Sequence, residues 1–495
     1  MSSRNAASTA STASTAKRIA RGASSIYGAT LVSALLQLGY AAITSRALGP
    51  DAFGAYAIAL SSAVLFSTVA TGPVVALAGR TESVTRPALG ALWRGAAVVG
   101  AIAGAAMYAS APFWAWLWDA PEAEPVLRFV SLNVAIGPLS GVAAALVRRI
   151  GHFGSLAIGM VAANAIGMVV GVSAVLHWHQ ALALAVSALA AQVISLLVFA
   201  VILRPYWRVP GAPVRISAFA QYGATIVSSR MIGFVSGFIG KFAAGHASSV
   251  AALGYWNRAD VVSSVPIQQL QSAIVQSVYP EFRHDIASPE RARRVWVDML
   301  ALISWLLWPV MSFAAVGVVV AMPLLLGDGW DAAQPIAAVL VVSGGLQIST
   351  MVLAAAAEAI GNRRWILSEQ LTGLSIQVAG AGTAVVVGSV WPAVLAIPAA
   401  FAGQHTVDIY FASRGGYLPL RPLAVRYLGA ASAAALTGGA AFGLWRAFGD
   451  YGAGATIVAL GSMFAATIGV CWTFRHRLPP YQIAKRYGVM GKTIA

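Results

Sequence analysis

Long apolar stretches recur along the whole sequence, and this repetition constrains the fold more than any other feature. The chain has 495 residues, of which 59% are hydrophobic and only 10% are charged. A soluble domain carries about 25% charged residues, whereas a helix that crosses a hydrocarbon core needs about 20 apolar residues. The apolar stretches reach that length and are rich in Ala and Gly, which let membrane helices pack closely. The sequence therefore predicts an all-α membrane protein with about fourteen transmembrane helices.

The hydropathy pattern places each of these helices to within a few residues. They are expected at residues 26–45, 54–77, 89–110, 126–146, 154–175, 181–203, 223–245, 254–280, 295–320, 332–356, 367–390, 391–412, 425–446 and 453–474. The boundary before Trp391 and Pro392 rests on a short break between two apolar stretches.

An internal repeat suggests how the helices are organised. Tyr27–Ser33 reads YGATLVS at the start of the first helix, and Tyr222–Ser228 reads YGATIVS at the start of the seventh. Six helices separate the two copies, so both copies would point the same way, related by a pseudo-twofold axis along the membrane normal. The predicted segments are a low-complexity cytoplasmic tail (1–25), an N-terminal six-helix lobe (26–203), a cytoplasmic linker (204–222), a C-terminal six-helix lobe (223–412), an additional helix pair (413–474) and a basic cytoplasmic tail (475–495).

The distribution of basic residues predicts the orientation of the chain. The sequence has 32 Lys and Arg against 16 Asp and Glu, a formal net charge of +16. Most of the basic residues fall in loops on one side, whereas Arg46, Arg128 and Arg446 fall on the other. Because cytoplasmic loops of membrane proteins are enriched in Lys and Arg, both termini are expected in the cytoplasm. The positive charge thus indicates topology rather than nucleic-acid binding.

Charged side chains inside the predicted helices mark a candidate site. Such groups cost about 2.5–3.5 kcal/mol each on insertion scales, so they usually face a cavity or a partner. The candidate cavity residues are Arg230 and Lys241 in helix 7, Arg258, Gln269, Ser272 and Gln276 in helix 8, Gln37 in helix 1, and Arg46, which the repeat aligns with Lys241. Helical spacing puts each set on one helix face.

These residue types favour a cationic, amide-rich cavity between helices 1, 7 and 8. Arg and Lys suit phosphate groups, and Gln, Ser and Tyr suit sugar hydroxyls. For Lys241 and Arg258 a second interpretation stays open, in which both lie near the outer surface and reach lipid headgroups. Asp260 lies on the opposite side of helix 8 from Arg258, and it is expected either to pair with another helix or to lie at the surface. It is the candidate residue for ion coupling.

Other features argue against an enzyme or a metalloprotein. No loop is long enough for a catalytic domain, and no Walker A motif is present, so we predict no catalytic residues, no cofactor and no direct use of ATP. His177 and His179 are too weak a signal for a metal site. Glu358, Glu369 and Asp408 lie near the predicted cytoplasmic ends of helices, and they are expected to have a structural or topological role. The single cysteine, Cys471, excludes an internal disulfide, and we expect it to pack as a small apolar residue.

Two regions resemble a known family. Leu48–Tyr56 (LGPDAFGAY) is similar to the turn after the first helix of bacterial polysaccharide flippases, and Leu253–Ala259 with Pro266 and Val278–Phe282 is similar to their eighth helix. These flippases belong to the multidrug/oligosaccharidyl-lipid/polysaccharide exporter superfamily, and the most similar members export colanic acid or xanthan repeat units. The motifs cover helices 1–2 and 7–8, whereas helices 9–14 match in hydropathy alone.

The resemblance implies a function and a partner. The substrate would be an undecaprenyl-pyrophosphate oligosaccharide, moved across the bacterial inner membrane by alternating access for surface polysaccharide export. A proton or sodium gradient, or consumption of the product by a polysaccharide polymerase, would supply the driving force, and the sequence leaves these alternatives open. The runner-up is a multidrug or cation antiporter of the same superfamily. It is disfavoured because the predicted cavity holds more basic than acidic residues. A membrane polysaccharide polymerase is a weaker alternative, since it would need a large outer loop.

Overall fold

A computed structural model describes residues 28–211, 217–285 and 289–486, and it consists of α-helices and short connecting turns without a strand in those ranges. The predicted tail 1–25 therefore lies outside the described residues. The α-helices are α1 (Gly28–Ala47), α2 (Pro50–Arg80), α3 (Arg86–Leu117), α4 (Glu124–Arg149), α5 (Phe153–Trp178), α6 (Ala181–Leu203), α7 (Ser217–Ala247), α8 (Val250–Asp285), α9 (Pro289–Leu326), α10 (Ala333–Ile360), α11 (Arg363–Val387), α12 (Trp391–Arg414), α13 (Leu420–Phe448), α14 (Ala453–Thr473) and α15 (Pro479–Arg486).

The predicted all-α membrane fold is confirmed, and α1 to α14 correspond one by one to the fourteen predicted helices. The predicted break before Trp391 is present, because α11 ends at Val387 and is followed by Gly388 with a φ of 67°. Glycine adopts this left-handed conformation without steric penalty and commonly ends a helix. Among the described residues, 11 helices are long and apolar enough to cross a membrane by length and composition.

The remaining three long helices, α7, α8 and α12, fall outside that set. Each carries ionisable side chains in its interior, among them Lys241, Asp260 and Asp408. Each of the three is nevertheless long enough to span a bilayer.

Contacts between Cα atoms divide the chain into two units, Met1–Phe234 and Val235–Ala495. In the N-terminal unit, α2 and α6 both pack on α4, while α3 packs on α4 and α5 on α6. Small residues allow these close approaches: a Cβ built on Gly104 would lie 2.7 Å from the Ala135 Cβ, and one on Gly167 would lie 2.7 Å from the Ser187 carbonyl oxygen. Such contacts between small residues are the usual way in which helices associate in lipid.

The C-terminal unit is built around α10, which packs on α8, α9 and α12, while α13 packs on α9 and α11 on α12. Two residues form the connection from α10 to α11. Gly361 ends α10 with a φ of 76°, a conformation that glycine adopts readily. The Asn362 side chain caps α11 by accepting a hydrogen bond from the Trp365 amide. Part of the predicted basic tail is an ordered helix, α15, which packs on α9. Arg486 of α15 donates to the buried Asp298 carboxylate at 2.5 Å.

The prediction for Cys471 was wrong. Its side chain is exposed on α14 rather than packed against other helices. Large apolar residues of the same helix, such as Val470 and Trp472, are exposed as well. A transmembrane helix at the edge of a bundle presents apolar groups to lipid, so a small hydrophobe there needs no protein partner.

Candidate functional site: polar cavities in the two units

The C-terminal unit encloses a cavity of about 250 Å³ bordered by α7, α8, α10, α11 and α12. Its charged lining residues are Lys241 and Asp260. Its uncharged polar lining residues are Ser236, Ser263, Ser264, Gln268, Ser343, Gln347 and Gln377. The cavity thus combines one cation, one anion and a set of amide and hydroxyl groups.

Lys241 and Asp260 form an ion pair across α7 and α8. The Lys241 Nζ donates to Asp260 Oδ2 at 3.1 Å, and the two side chains are 28% and 37% exposed. The sequence left two alternatives open for Asp260, pairing with another helix or exposure at the surface. The structure shows the first, because Asp260 of α8 pairs with Lys241 of α7. The carboxylate compensates the charge of Lys241 at the cavity wall.

Amide side chains from three helices complete the polar wall. Gln347 of α10 donates through Nε2 to the Gln271 Oε1 of α8 at 2.9 Å. Gln347 and Gln377 were not singled out from the sequence. Each is a neutral amide inside a predicted helix, and sequence alone does not show which neighbouring helix such a group meets.

Arg258 is only 5% exposed. Its Nε and Nη2 donate to Asn257 Oδ1 at 3.3 and 2.8 Å, and it is not among the residues that line the cavity of the C-terminal unit. Gln269 and Ser272 are half-buried on α8 and do not line that cavity either. Among the predicted cavity residues whose side chains the structure describes, Lys241 lines this cavity, together with Asp260.

The remaining predicted site residues either do not line this cavity or have side chains outside the described residues. Gln37 and Arg46 are exposed residues of α1 in the N-terminal unit. The side chains of Arg230 and Gln276 lie outside the described residues, although their backbones belong to α7 and α8. A common cavity that joins all of these residues stays a prediction.

The N-terminal unit contains a larger, open cavity of about 910 Å³ between α2, α4 and α6. Its polar lining groups are hydroxyls and amides, contributed by Ser67, Thr68, Thr71, Asn133, Ser140 and Gln192. Among the described residues, none of those that line it is charged. This site was not predicted, because neutral polar residues are common in single membrane helices and only the packing of α2, α4 and α6 brings these together.

Glycines of α4 let the polar groups of three helices converge. A Cβ built on Gly137 would lie 3.2 Å from Gln192 Nε2 and 3.3 Å from Thr71 Oγ1, so both side chains reach the same part of the wall. Gln192 Nε2 also donates to Ser140 Oγ at 3.2 Å, and Ser140 Oγ donates to the Gly137 carbonyl at 3.0 Å. Asn133 Oδ1 is buried without a hydrogen-bond partner among the described residues. This oxygen is an unsatisfied acceptor within the packed wall, where burial without a partner costs free energy.

A third cavity, of about 690 Å³, lies in the C-terminal unit between α9, α10 and α13. Its wall is mainly apolar and includes Val316, Val342, Phe442 and Trp445. A surface of this kind suits hydrocarbon, whether from lipid or from a polyprenyl chain.

Buried ionisable groups form a cluster on α11, α12 and α13. Trp365 Nε1 donates to Asp408 Oδ1 at 2.7 Å, and His405 Nε2 lies 2.9 Å from the Tyr427 hydroxyl. Glu369, His405 and Asp408 are all buried. Among the described residues, no group of three His, Cys, Asp or Glu side chains is placed to hold a metal ion. The Trp365 bond supports the structural role expected of Asp408.

An all-α bundle of long apolar helices with polar cavities among them is the architecture of a multi-pass membrane protein. The chain belongs to the polysaccharide biosynthesis protein family, whose model matches residues 43–335. This match confirms the resemblance to polysaccharide flippases inferred from Leu48–Tyr56 and the eighth helix.

A curated relative is the succinoglycan biosynthesis transport protein ExoT of Rhizobium meliloti (strain 1021), which is 24% identical over 309 residues. That alignment covers 61% of this chain and 62% of ExoT, so the chain spans less than two thirds of the relative's length.

Two solved structures share the fold. The lipid II flippase MurJ in its inward closed conformation has a TM-score of 0.70 and 11% sequence identity, and the match covers 90% of this chain and 98% of MurJ. A mutant form of the Vibrio cholerae MATE transporter VcmN has a TM-score of 0.50 and 15% identity, with 82% of this chain and 99% of that chain covered. At these identities the likeness indicates a common fold.

Proposed function

We propose that this protein is a flippase that moves an undecaprenyl-pyrophosphate-linked oligosaccharide across the bacterial inner membrane for surface polysaccharide export. The observation that carries the proposal is a polar cavity with a cation, Lys241, inside the membrane bundle of a polysaccharide biosynthesis protein. A charged, sugar-bearing headgroup cannot cross a hydrocarbon core unaided, because each buried charge must be compensated. A cavity of this composition provides that compensation.

Lys241 is the residue proposed to bind the pyrophosphate. Its ammonium is held 3.1 Å from the Asp260 carboxylate, and a pyrophosphate that enters the cavity competes for the same cation. Exchange of one anion for another keeps the lysine paired throughout the cycle, which avoids the penalty of an isolated charge. Asp260, once released, is the candidate to take up a proton or a cation, which would link transport to an ion gradient. Arg230, Arg258 and Arg46 remain further proposed contacts.

The polyprenyl chain has different requirements from the headgroup. It is hydrocarbon, so it is stable in the bilayer or against an apolar protein surface. The 690 Å³ apolar cavity between α9, α10 and α13 offers such a surface within the C-terminal unit. The headgroup would thus travel through polar cavities while the lipid tail stays in an apolar environment.

Alternating access completes the proposal. Both termini are proposed to lie in the cytoplasm, where the headgroup enters, and rocking of the two units exposes it to the other side of the membrane. The proposed partners are the lipid-linked oligosaccharide, membrane lipid and a polysaccharide polymerase that consumes the product.

The proposal is tested by deleting the gene in the source cell and measuring surface polysaccharide together with polyprenyl-pyrophosphate-linked oligosaccharide. A flippase predicts loss of the polymer and accumulation of the complete, unpolymerised repeat unit, with polymerase activity intact. Unchanged polymer and lipid pools, with new sensitivity to cationic drugs, would instead support an antiporter that uses Asp260 to bind cations.

A further inference from the structure

We propose that the 910 Å³ cavity of the N-terminal unit binds the glycan of the transported lipid, separately from the pyrophosphate contact in the C-terminal unit. This inference rests on the proposed function and assigns a substrate-recognition role to α2, α4 and α6. The residues that carry it are Ser67, Thr68, Thr71, Asn133, Ser140 and Gln192.

The lining chemistry selects a neutral polyhydroxyl ligand. Ser and Thr hydroxyls both donate and accept hydrogen bonds, and the Asn and Gln amides add donors and acceptors at fixed directions. A sugar ring presents the same mixture of donors and acceptors, whereas a phosphate presents acceptors with negative charge and favours cations. With no charged side chain among the described residues that line it, the cavity lacks the group that would bind a phosphate.

Size and position support the same ligand class. The volume of about 910 Å³ lies at the upper end of the range of about 300–1,000 Å³ typical of small-molecule pockets. The polar groups lie in the interior of α2, α4 and α6, each of which is long and apolar enough to span a membrane. Hydroxyl and amide groups placed there cost free energy unless they are hydrogen-bonded, so their convergence from three helices indicates a polar occupant.

The local geometry shows which groups act together. Thr71 and Gln192 approach the same point beside Gly137, with Ser140 hydrogen-bonded to Gln192. Asn133 of α4 adds an amide side chain to the lining of the same cavity. Two neighbouring sugar hydroxyls could therefore bond to α2, α4 and α6 at once, which gives directional recognition of the glycan.

The two cavities described in the C-terminal unit do not compete for this role. The 250 Å³ cavity of the C-terminal unit is smaller and contains the Lys241–Asp260 pair, and the 690 Å³ cavity is mainly apolar. A hydrocarbon tail in the N-terminal cavity would offer no hydrogen bonds to the amides and hydroxyls of the cavity wall. Burying those groups without partners costs free energy.

The test uses the full-length chain in proteoliposomes with two probes. One probe is the lipid-linked repeat unit extracted from the source cell, and the other is the same lipid carrying its first sugar only, from a strain that lacks the second glycosyltransferase. The test variant combines Thr71→Val, Asn133→Leu and Gln192→Met, which remove hydrogen bonds while keeping side-chain size. Ser195→Ala is the matched control, because Ser195 lies on α6 near Gln192 but does not line the cavity.

We expect the triple variant to translocate the complete repeat unit about tenfold more slowly, while the first-sugar lipid changes by about twofold or less. The Ser195→Ala control should match the wild type on both probes. Equal losses on both probes, or no loss on either, would overturn the glycan site. Should the triple variant not insert, Thr71→Val alone gives the same comparison, because valine keeps the shape of threonine.

Failure of the proposed function gives a different result from failure of the glycan site. If the wild type translocates neither probe, the chain is not a flippase for this lipid and both proposals fall. If it translocates both probes and the variants do not discriminate between them, only the glycan site is wrong.

Discussion

The two units differ in the kind of polar group that they bury. In the described part of the N-terminal unit, the buried polar residues are hydroxyl-bearing: Ser33, Thr44, Ser45, Ser62, Thr81, Thr85, Ser131 and Ser187. In the C-terminal unit, the buried set also includes ionisable residues: Arg258, Asp298, Glu369, His405 and Asp408. Their polar cavities follow the same division. The described lining of the 910 Å³ cavity in the N-terminal unit is neutral, whereas the 250 Å³ cavity in the C-terminal unit contains the Lys241–Asp260 ion pair.

This difference suggests a division of work between the two units. Charged groups in a membrane bundle are retained where they have a partner or a task, because each is costly to insert. Neutral hydroxyls and amides can recognise a polyol without that cost. We therefore expect substitutions in the C-terminal unit to affect every phosphate-bearing substrate, and substitutions in the N-terminal cavity to depend on the glycan.

The largest effect is expected from Lys241→Ala. This change leaves the Asp260 carboxylate without its partner in the cavity and removes the cation proposed for the pyrophosphate, so transport should fall by about tenfold to a hundredfold. Translocation of both lipid probes by reconstituted protein is the measurement.

The double variant Lys241→Ala with Asp260→Asn separates structure from transport. It removes both charges, so thermal stability in detergent should return towards the wild-type value while transport stays low. Recovery of full transport in the double variant would mean that the ion pair only stabilises the unit.

Gly137→Leu should have the next largest effect, in the N-terminal unit. The new side chain would begin 3.2 Å from Gln192 Nε2 and 3.3 Å from Thr71 Oγ1 and would extend into the neutral cavity. We expect transport of the complete repeat unit to fall about tenfold. Gly154→Leu is the control, because a Cβ there has nothing within 4 Å. Normal transport by the Gly137 variant, at normal insertion level, would contradict a role for this cavity.

Asp408→Ala tests whether the buried cluster of the C-terminal unit is structural. The change leaves Trp365 Nε1, which donates to Asp408 Oδ1 at 2.7 Å, without an acceptor and should destabilise the unit by about 1–3 kcal/mol. Asp408→Asn keeps an acceptor oxygen and is expected to be milder. The thermal unfolding midpoint in detergent is the readout, and equal midpoints for the two variants would rule out this explanation.

The smallest effect is predicted for Glu124→Ala. Glu124 and Arg128 form an exposed ion pair one helical turn apart, with Oε1 and Nη2 separated by 2.6 Å at the start of α4. Exposed pairs of this type contribute about 0.3–0.5 kcal/mol, so stability and transport should be almost unchanged. A strong transport defect would show that charges of the N-terminal unit act in the substrate path after all.

Hydropathy and turn residues were sufficient to predict the helices. The break between α11 and α12 was visible because Trp391 and Pro392 follow a short polar interruption, and Gly388 ends α11 with a positive φ. Charge asymmetry also predicted an orientation from loops alone. These features depend on local sequence, which is why they could be read without tertiary information.

The candidate site was only partly predictable. Periodicity placed Lys241 and Asp260 on faces of two helices, but the pairing of the two residues depends on how α7 and α8 pack. Arg258 and Lys241 were both predicted from the sequence to line a cavity. The structure instead buries Arg258, which donates to Asn257, and Arg258 is not among the residues that line the 250 Å³ cavity. The neutral cavity was missed because Thr71, Ser140 and Gln192 come from three helices and carry no charge that would have marked them.

The most direct test of the account is translocation by purified protein in liposomes that contain the lipid-linked repeat unit. A membrane-impermeant lectin added outside would measure how fast the glycan from the inner leaflet becomes accessible. The account predicts that wild-type protein makes the inner pool accessible, and that Lys241→Ala protein inserted to the same level does so at least about tenfold more slowly. An inner pool that stays inaccessible with wild-type protein, in liposomes where the same protein exchanges a cationic drug, would contradict it.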